Sequence, residues 1–237
     1  MLSRARAASV RAVVTVGVTP SSSRGCLALA ARWPEVHATV GFHPHWASGA
    51  NPERMAQAQQ LAHDPAAVAV GEIGLDYRRM RSPKPAQLSL FHDMLSIASE
   101  VGLPVVIHDG QAHADVREAL SSHRRHLAGG VIHCFSGDWN LAKIYLDWGF
   151  FLSIPGSVTY PRFRQMREVA AKIPIDRLLV ETDAPHLTPS RAGRRRNEPA
   201  YLVHTTREVA QLRGLPFADL ARAVTANAAR ALNLPPS

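Results

Sequence analysis

The sequence predicts an α/β fold assembled from parallel β/α units. Three observations carry that expectation. Short β-rich apolar runs recur along all 237 residues, segments with helical periodicity separate them, and no linker or shift of composition divides the chain. The runs are Ala12–Val18, Val36–Phe42, Ala67–Leu75, Pro104–His108, Val131–Phe135, Phe150–Ile154 and Leu178–Thr182. The clearest helix lies at Lys84–Val101, where Leu88, Phe91, Leu95 and Ala98 recur at intervals of three and four. It starts near Pro83 and Pro85 and stops at Gly102, with Pro104 beyond. Further helical stretches fall around Glu53–His63, Ala114–His123, Asn140–Trp148, Arg162–Lys172, Pro199–Leu212 and Phe217–Leu232. A single domain over residues 1–237 is expected. Seven strands are visible, whereas a closed barrel of this class takes eight. About ten residues precede the first run, too few for another strand, its loop and a whole helix. The chain is therefore an open sheet, a seven-stranded barrel, or a barrel whose first strand is missing.

Composition narrows the function classes. With 46% apolar and 19% charged residues the chain can bury a full core. No run approaches the roughly 18 apolar residues of a membrane span, so a membrane protein is not expected. Lys and Arg number 27 against 19 Asp and Glu, a formal charge of +8 that favours an acidic partner, nucleic acid first. Compositional bias accounts for the charge equally well, because Lys84, Lys143 and Lys172 are the only lysines and the chain is rich in Ala. Cys26 and Cys134 stand far apart without a CxxC, so a reducing, cytoplasmic setting is the simpler expectation. Met1–Val18 is basic and then apolar, like a targeting segment. Val13–Val18 is short for such a core, however, and no cleavage pattern follows. It reads instead as the end of a helix followed by a strand.

The ends of the apolar runs carry the chemistry. In β/α barrels reactive residues collect at the C-terminal ends of strands. Here these ends read Gly41-Phe42-His43-Pro44-His45, Gly71-Glu72-Ile73-Gly74-Leu75-Asp76, Ile107-His108-Asp109, His133-Cys134-Phe135 and Glu181-Thr182-Asp183-Ala184-Pro185. One strand-end histidine is commonly a satisfied core group. Five of seven strands ending in an imidazole or carboxylate suggest a shared purpose. Glu72 lies in an otherwise apolar strand, where a carboxylate is costly unless it is paired or binds metal. Mixed His and carboxylate donors suit Zn²⁺, Mn²⁺ or a related divalent ion and the hydrolytic chemistry such ions support.

These segments, with GEIGLD at Gly71–Asp76, HCFSG at His133–Gly137 and LVETDAP at Leu179–Pro185, resemble the TatD family of metal-dependent nucleases from about Arg4 to Leu232. The resemblance implies a TIM barrel of the metal-dependent hydrolase superfamily. It also implies two divalent ions (Mg, Mn or Zn) held by an HxH pair on the first strand, the GExGLD glutamate, two later histidines and the ETDxP aspartate. Carried over by motif, the metal ligands are Glu72, His108, His133 and Asp183. Glu72 bridges, and Asp183 orients or deprotonates the attacking water.

The departures are equally specific. The Arg-Asp pair that follows the fourth-strand histidine in the family is replaced by Asp109-Gly110-Gln111. The RGKxNEP loop becomes Arg191-Ala192-Gly193-Arg194-Arg195-Arg196-Asn197-Glu198-Pro199, which keeps NEP and makes Arg191, Arg194, Arg195 and Arg196 candidate phosphate contacts. The family's opening HxH strand has no counterpart, so one ion is expected to be held well and activity to be impaired. His43-Pro44-His45 also spells HxH, but the family has this GxHP element in addition to the first pair, and His43 is assigned to substrate contact. The leading expectation is hydrolysis of phosphodiester bonds in DNA. The alternatives are a superfamily hydrolase of a small amide or ester, deacylation of D-aminoacyl-tRNA, and a non-catalytic remnant.

Overall fold

The computed structural model describes residues 1–193 and 196–234, in which helices and strands alternate. The basic N-terminus forms a short helix α1 (Leu2–Ala7), and the apolar stretch behind it is strand β1 (Val13–Val16). Helix α2 (Pro20–Arg32) has no counterpart in the periodicity of the sequence. It is set by its start: Thr19 Oγ1 accepts from the Ser22 N–H, and Ser22 Oγ accepts from the Thr19 N–H. Its buried face is Pro20, Ser23, Cys26 and Leu27, too small and polar to register as an apolar stripe. There follow β2 (Val36–Val40), a 3-10 turn (Pro44–Gly49), α3 (Pro52–Ala62), β3 (Ala67–Asp76) and α4 (Lys84–Val101). Gly102 ends α4 in the left-handed region at φ 69°, as the sequence leads one to expect. The chain continues through β4 (Val105–Gly110), α5 (His113–His123), β5 (Gly130–Ile132), α6 (Trp139–Asp147), β6 (Phe151–Ile154), α7 (Arg164–Lys172), β7 (Leu178–Val180), α8 (Leu202–Leu212) and α9 (Phe217–Ala231).

The seven described strands are hydrogen-bonded in sequence order, β1 to β7. A doubly wound sheet would reverse its order at a switch point, whereas sequential parallel order with intervening helices is the TIM-type α/β arrangement.

By contacts the residues fall into two compact units. One is Ala12–Val131, and the other joins Met1–Arg11 to the chain from Ile132 onward. In the first, β1–β2, β2–β3 and β3–β4 pair in parallel, with register irregularities between Ala38 and Thr39 and between Val70 and Ile73. Its core packs Val40, Val70, Ile73, Leu75 and Ile107 with Phe91, Met94 and Leu95 of α4, all fully or almost fully buried. In the second, β6 pairs with β7 from Leu152↔Leu178 to Ile154↔Val180, and Tyr145, Phe150, Leu152, Val169 and Leu220 are buried. Four strands stop before their apolar runs do, β1 at Val16, β2 at Val40, β5 at Ile132 and β7 at Val180. β5 ends at Ile132 because Cys134 turns the chain at φ 48°, and β7 ends at Val180, ahead of Asp183 at φ 54°. Among the described residues no helix is long and apolar enough to cross a membrane.

Candidate functional site

In the unit Ala12–Val131 the ends of β2, β3 and β4 meet because glycines let their backbones close on one another. A Cβ on Gly41 would stand 2.3 Å from the Glu72 nitrogen, and one on Gly74, at φ 138°, would stand 2.1 Å from the His108 carbonyl oxygen. The glycines of GFHPH and GEIGLD are thus steric requirements of the place where Glu72 and His108 meet. Gly41→Ala is expected to cost about 3 kcal/mol of stability, since the obstructing atoms are backbone and cannot swing away. A denaturant midpoint within error of wild type would contradict that close approach. The β3–β4 register shifts across the stretch that holds Glu72, an irregularity of the kind that re-aims a side chain. The loop after β1 anchors both neighbours: the Glu72 N–H donates to Gly17 O at 2.9 Å, and the His43 N–H to Val18 O at 3.1 Å.

Two carboxylates clasp the His108 ring. Its Nδ1 lies 2.6 Å from Glu72 Oε1 and its Nε2 lies 3.2 Å from Asp76 Oδ2. His43 Nε2 approaches the same Glu72 oxygen at 3.5 Å, while His43 Nδ1 accepts from the His45 N–H at 3.1 Å. His45 Nε2 completes the group at 2.7 Å from Asp76 Oδ2. Burial lowers the pKa of His43 and outweighs its bond to Glu72; His45 is lowered by burial against its bond to Asp76. Burial alone would raise the Asp76 carboxyl. Hydrogen bonds from His108, the Arg79 N–H and His45 outweigh it and hold the group well below the usual carboxylate range. Asp76 is itself fixed by the fully buried Gln87, whose Oε1 accepts from the Asp76 N–H at 2.8 Å.

In the second unit His133 follows β5, and its Nδ1 lies 3.0 Å from Glu181 Oε2. The Cys134 N–H donates to the same oxygen at 3.3 Å, which supports the left-handed turn at Cys134. His133 Nε2 is 3.8 Å from Asp183 Oδ1. The loop bearing Asp183 is held by the buried Asn197 of the NEP segment, whose Nδ2 donates to Thr182 O at 2.7 Å and to His186 O at 2.5 Å. Glu198 next to it takes both ends of the Arg4 guanidinium, Nε at 2.8 Å and Nη2 at 2.5 Å.

Two groups therefore offer donors suited to a divalent ion: His43, Glu72 and His108 in one unit, and His133, Cys134 and Glu181 in the other. Within each, the ligand atoms lie within 4.8 Å of one another. Glu181 Oε1 is buried and has no hydrogen-bond partner among the described residues, as a carboxylate oxygen awaiting a cation would be. Imidazole with carboxylate fits a divalent ion such as Zn²⁺ or Mn²⁺.

The family model "TatD related DNase" matches residues 1–233. The chain belongs to the TatD family. It is 40% identical over 235 residues to the "3'-5' ssDNA/RNA exonuclease TatD" of Cronobacter sakazakii, covering 97% of this chain and 89% of that one. It is 35% identical over 230 residues to the "Uncharacterized metal-dependent hydrolase YabD" of Bacillus subtilis, covering 97% and 90%. A crystal structure of YJJV, a TatD homologue of Escherichia coli K12, superposes with a TM-score of 0.91 at 30% identity, covering 99% and 91%. The TatD match begins at residue 1, which gives the expected absence of an N-terminal HxH strand no support.

Against the TatD motifs, Glu72 and His108 meet directly, and His43, assigned from the sequence to substrate, belongs to the same group. His133 and Asp183 are neighbours. Arg191 and Arg196 are exposed, and Arg194 and Arg195 lie outside the described residues. Sequence reasoning gave no role to Asp76, Cys134 or Glu181. Asp76 is the last letter of GEIGLD and Glu181 the first of ETDAP, so the signal was their place inside motifs already noted. Asp109, which stands where the family has Arg before Asp, accepts from the Ala112 N–H at 2.9 Å and lies 2.7 Å from His113 Nδ1, steadying the start of α5.

Proposed function

We propose that this chain acts as one hydrolase domain that cleaves phosphodiester bonds of DNA with the help of divalent metal. The observation that carries the reading is the half-buried Glu72 carboxylate with the His108 imidazole 2.6 Å away. Its relative named as an exonuclease of single-stranded DNA and RNA supports the substrate class. Glu72, His108, His133 and Asp183 are the proposed ligands. When bound, the metal supplies Lewis-acid polarisation of a phosphoryl oxygen and eases deprotonation of water. Asp183 receives the proton of the attacking water, for which its partly exposed carboxylate is suited. His43, kept neutral by burial, donates from Nε2 to the substrate, since Nδ1 is occupied as an acceptor. Arg191, Arg194, Arg195 and Arg196 bind the phosphate backbone.

One ion per chain is held tightly. The sequence contains a single HxH, His43-Pro44-His45, and its imidazoles are engaged by Glu72 and Asp76. The test is hydrolysis of a single-stranded oligonucleotide beside a panel of chromogenic amides, after chelation and after return of Mg²⁺, Mn²⁺ or Zn²⁺. Oligonucleotide cleavage that vanishes on chelation and returns with metal is expected. Cleavage of amides alone would redirect the proposal to amide hydrolysis.

A further inference from the structure

A cluster of unpaired cations stands beside the Glu72 group and belongs to none of the family motifs. The loop from Tyr77 to Lys84, which leaves the end of β3, carries Arg78, Arg79 and Arg81, all exposed. Lys84 is neutralised by Asp115 at 2.7 Å, yet among the described residues none of these three arginines forms an ion pair. Three like charges within four residues repel one another unless an anion gathers them. The loop is nonetheless rigidly held. The Tyr77 and Arg78 N–H groups donate to Gly110 O at 2.8 and 3.0 Å, and buried Gln87 donates to Ser82 O at 2.8 Å.

The second half of the surface comes from the turn Pro44–Gly49 after β2. Ser82 zips this turn to the arginine loop: the Ser48 N–H donates to Ser82 Oγ at 3.0 Å, and Ser82 Oγ donates to His45 O at 3.1 Å. Trp46, on that turn, leaves 51% of its surface in water, and Met80 on the loop leaves 48%. Two large apolar side chains held half-bare beside unpaired guanidiniums fit a ligand that is both anionic and flat-faced. A single-stranded nucleic acid is such a ligand, because its phosphates meet the arginines while its unstacked bases offer a face to the indole. A duplex keeps those faces covered.

We propose that Arg78, Arg79, Arg81 and Trp46 form a binding surface for single-stranded nucleic acid next to the Glu72 group. This deepens the proposed function and rests on it for the link to cleavage. The test uses the full chain and a fluorescent phosphorothioate oligothymidylate, which binds without being consumed. Substituting all three arginines with Ala is expected to weaken binding at least about tenfold and to flatten the salt dependence by about two in slope, ~0.7 per lost phosphate contact. Trp46→Ala is expected to weaken binding about tenfold with the slope kept, and Trp46→Phe to restore most of it. Affinity and slope unchanged in all variants, or duplex DNA bound as tightly as the single strand, would overturn the surface. Cleavage of the unmodified strand is measured separately. A chain that binds through these residues and cleaves nothing keeps the surface and loses the hydrolysis. A chain that cleaves while every substitution leaves binding untouched does the reverse.

Discussion

Glu72→Gln is expected to remove hydrolysis almost completely while leaving the fold intact. The amide has the carboxylate's shape and can pair with His108 Nδ1 in either tautomer, so packing at the end of β3 is preserved. What disappears is the negative charge that draws a cation to Glu72 and His108. Loss of an outer partner of a metal ligand typically costs 10–100-fold, so loss of the ligand itself should exceed ~100-fold. The measurement is kcat/KM on a single-stranded oligonucleotide beside circular dichroism of the same preparation. A folded variant within tenfold of wild type would remove Glu72 from the metal site.

The second large effect is expected at Asp183. Its backbone stands at φ 54°, a left-handed conformation that Asn adopts as readily as Asp. Asp183→Asn therefore keeps the turn, and Asn197 still holds the loop through Thr182 O and His186 O. Stability should change by less than about 1 kcal/mol, as for a partly exposed site outside the core. The proton acceptor is lost, and general-base assistance is worth about 10²–10⁴-fold in rate. A fall confined to KM, with kcat unchanged, would show that Asp183 binds substrate and does not take the proton.

How legible these features are in the sequence depends on whether their cause is local. Helix α4 is legible because an apolar repeat lies between prolines and a left-handed glycine. Helix α2 is not, since its buried face is Pro20, Ser23, Cys26 and Leu27 and its start rests on two hydroxyl groups. Glu72 and His108 stand out as polar residues in apolar strands. Asp76 does not, because its partners His45 and His108 come from two other elements. Glu181 gains its role only once the turn at Cys134 brings a backbone N–H and the His133 ring to one oxygen. The arginines at 78, 79 and 81 are overshadowed in the sequence by the denser run at 191–196. Their significance comes from Ser82, which joins their loop to the turn carrying Trp46.

The central claim is that the Glu72 group holds a divalent ion. Calorimetric titration of the metal-stripped chain with Mn²⁺ or Zn²⁺ tests it most directly, with Glu72→Gln titrated in parallel. The account predicts about one tightly bound ion per wild-type chain and loss of that binding step in the variant. An identical binding curve for both proteins would contradict it.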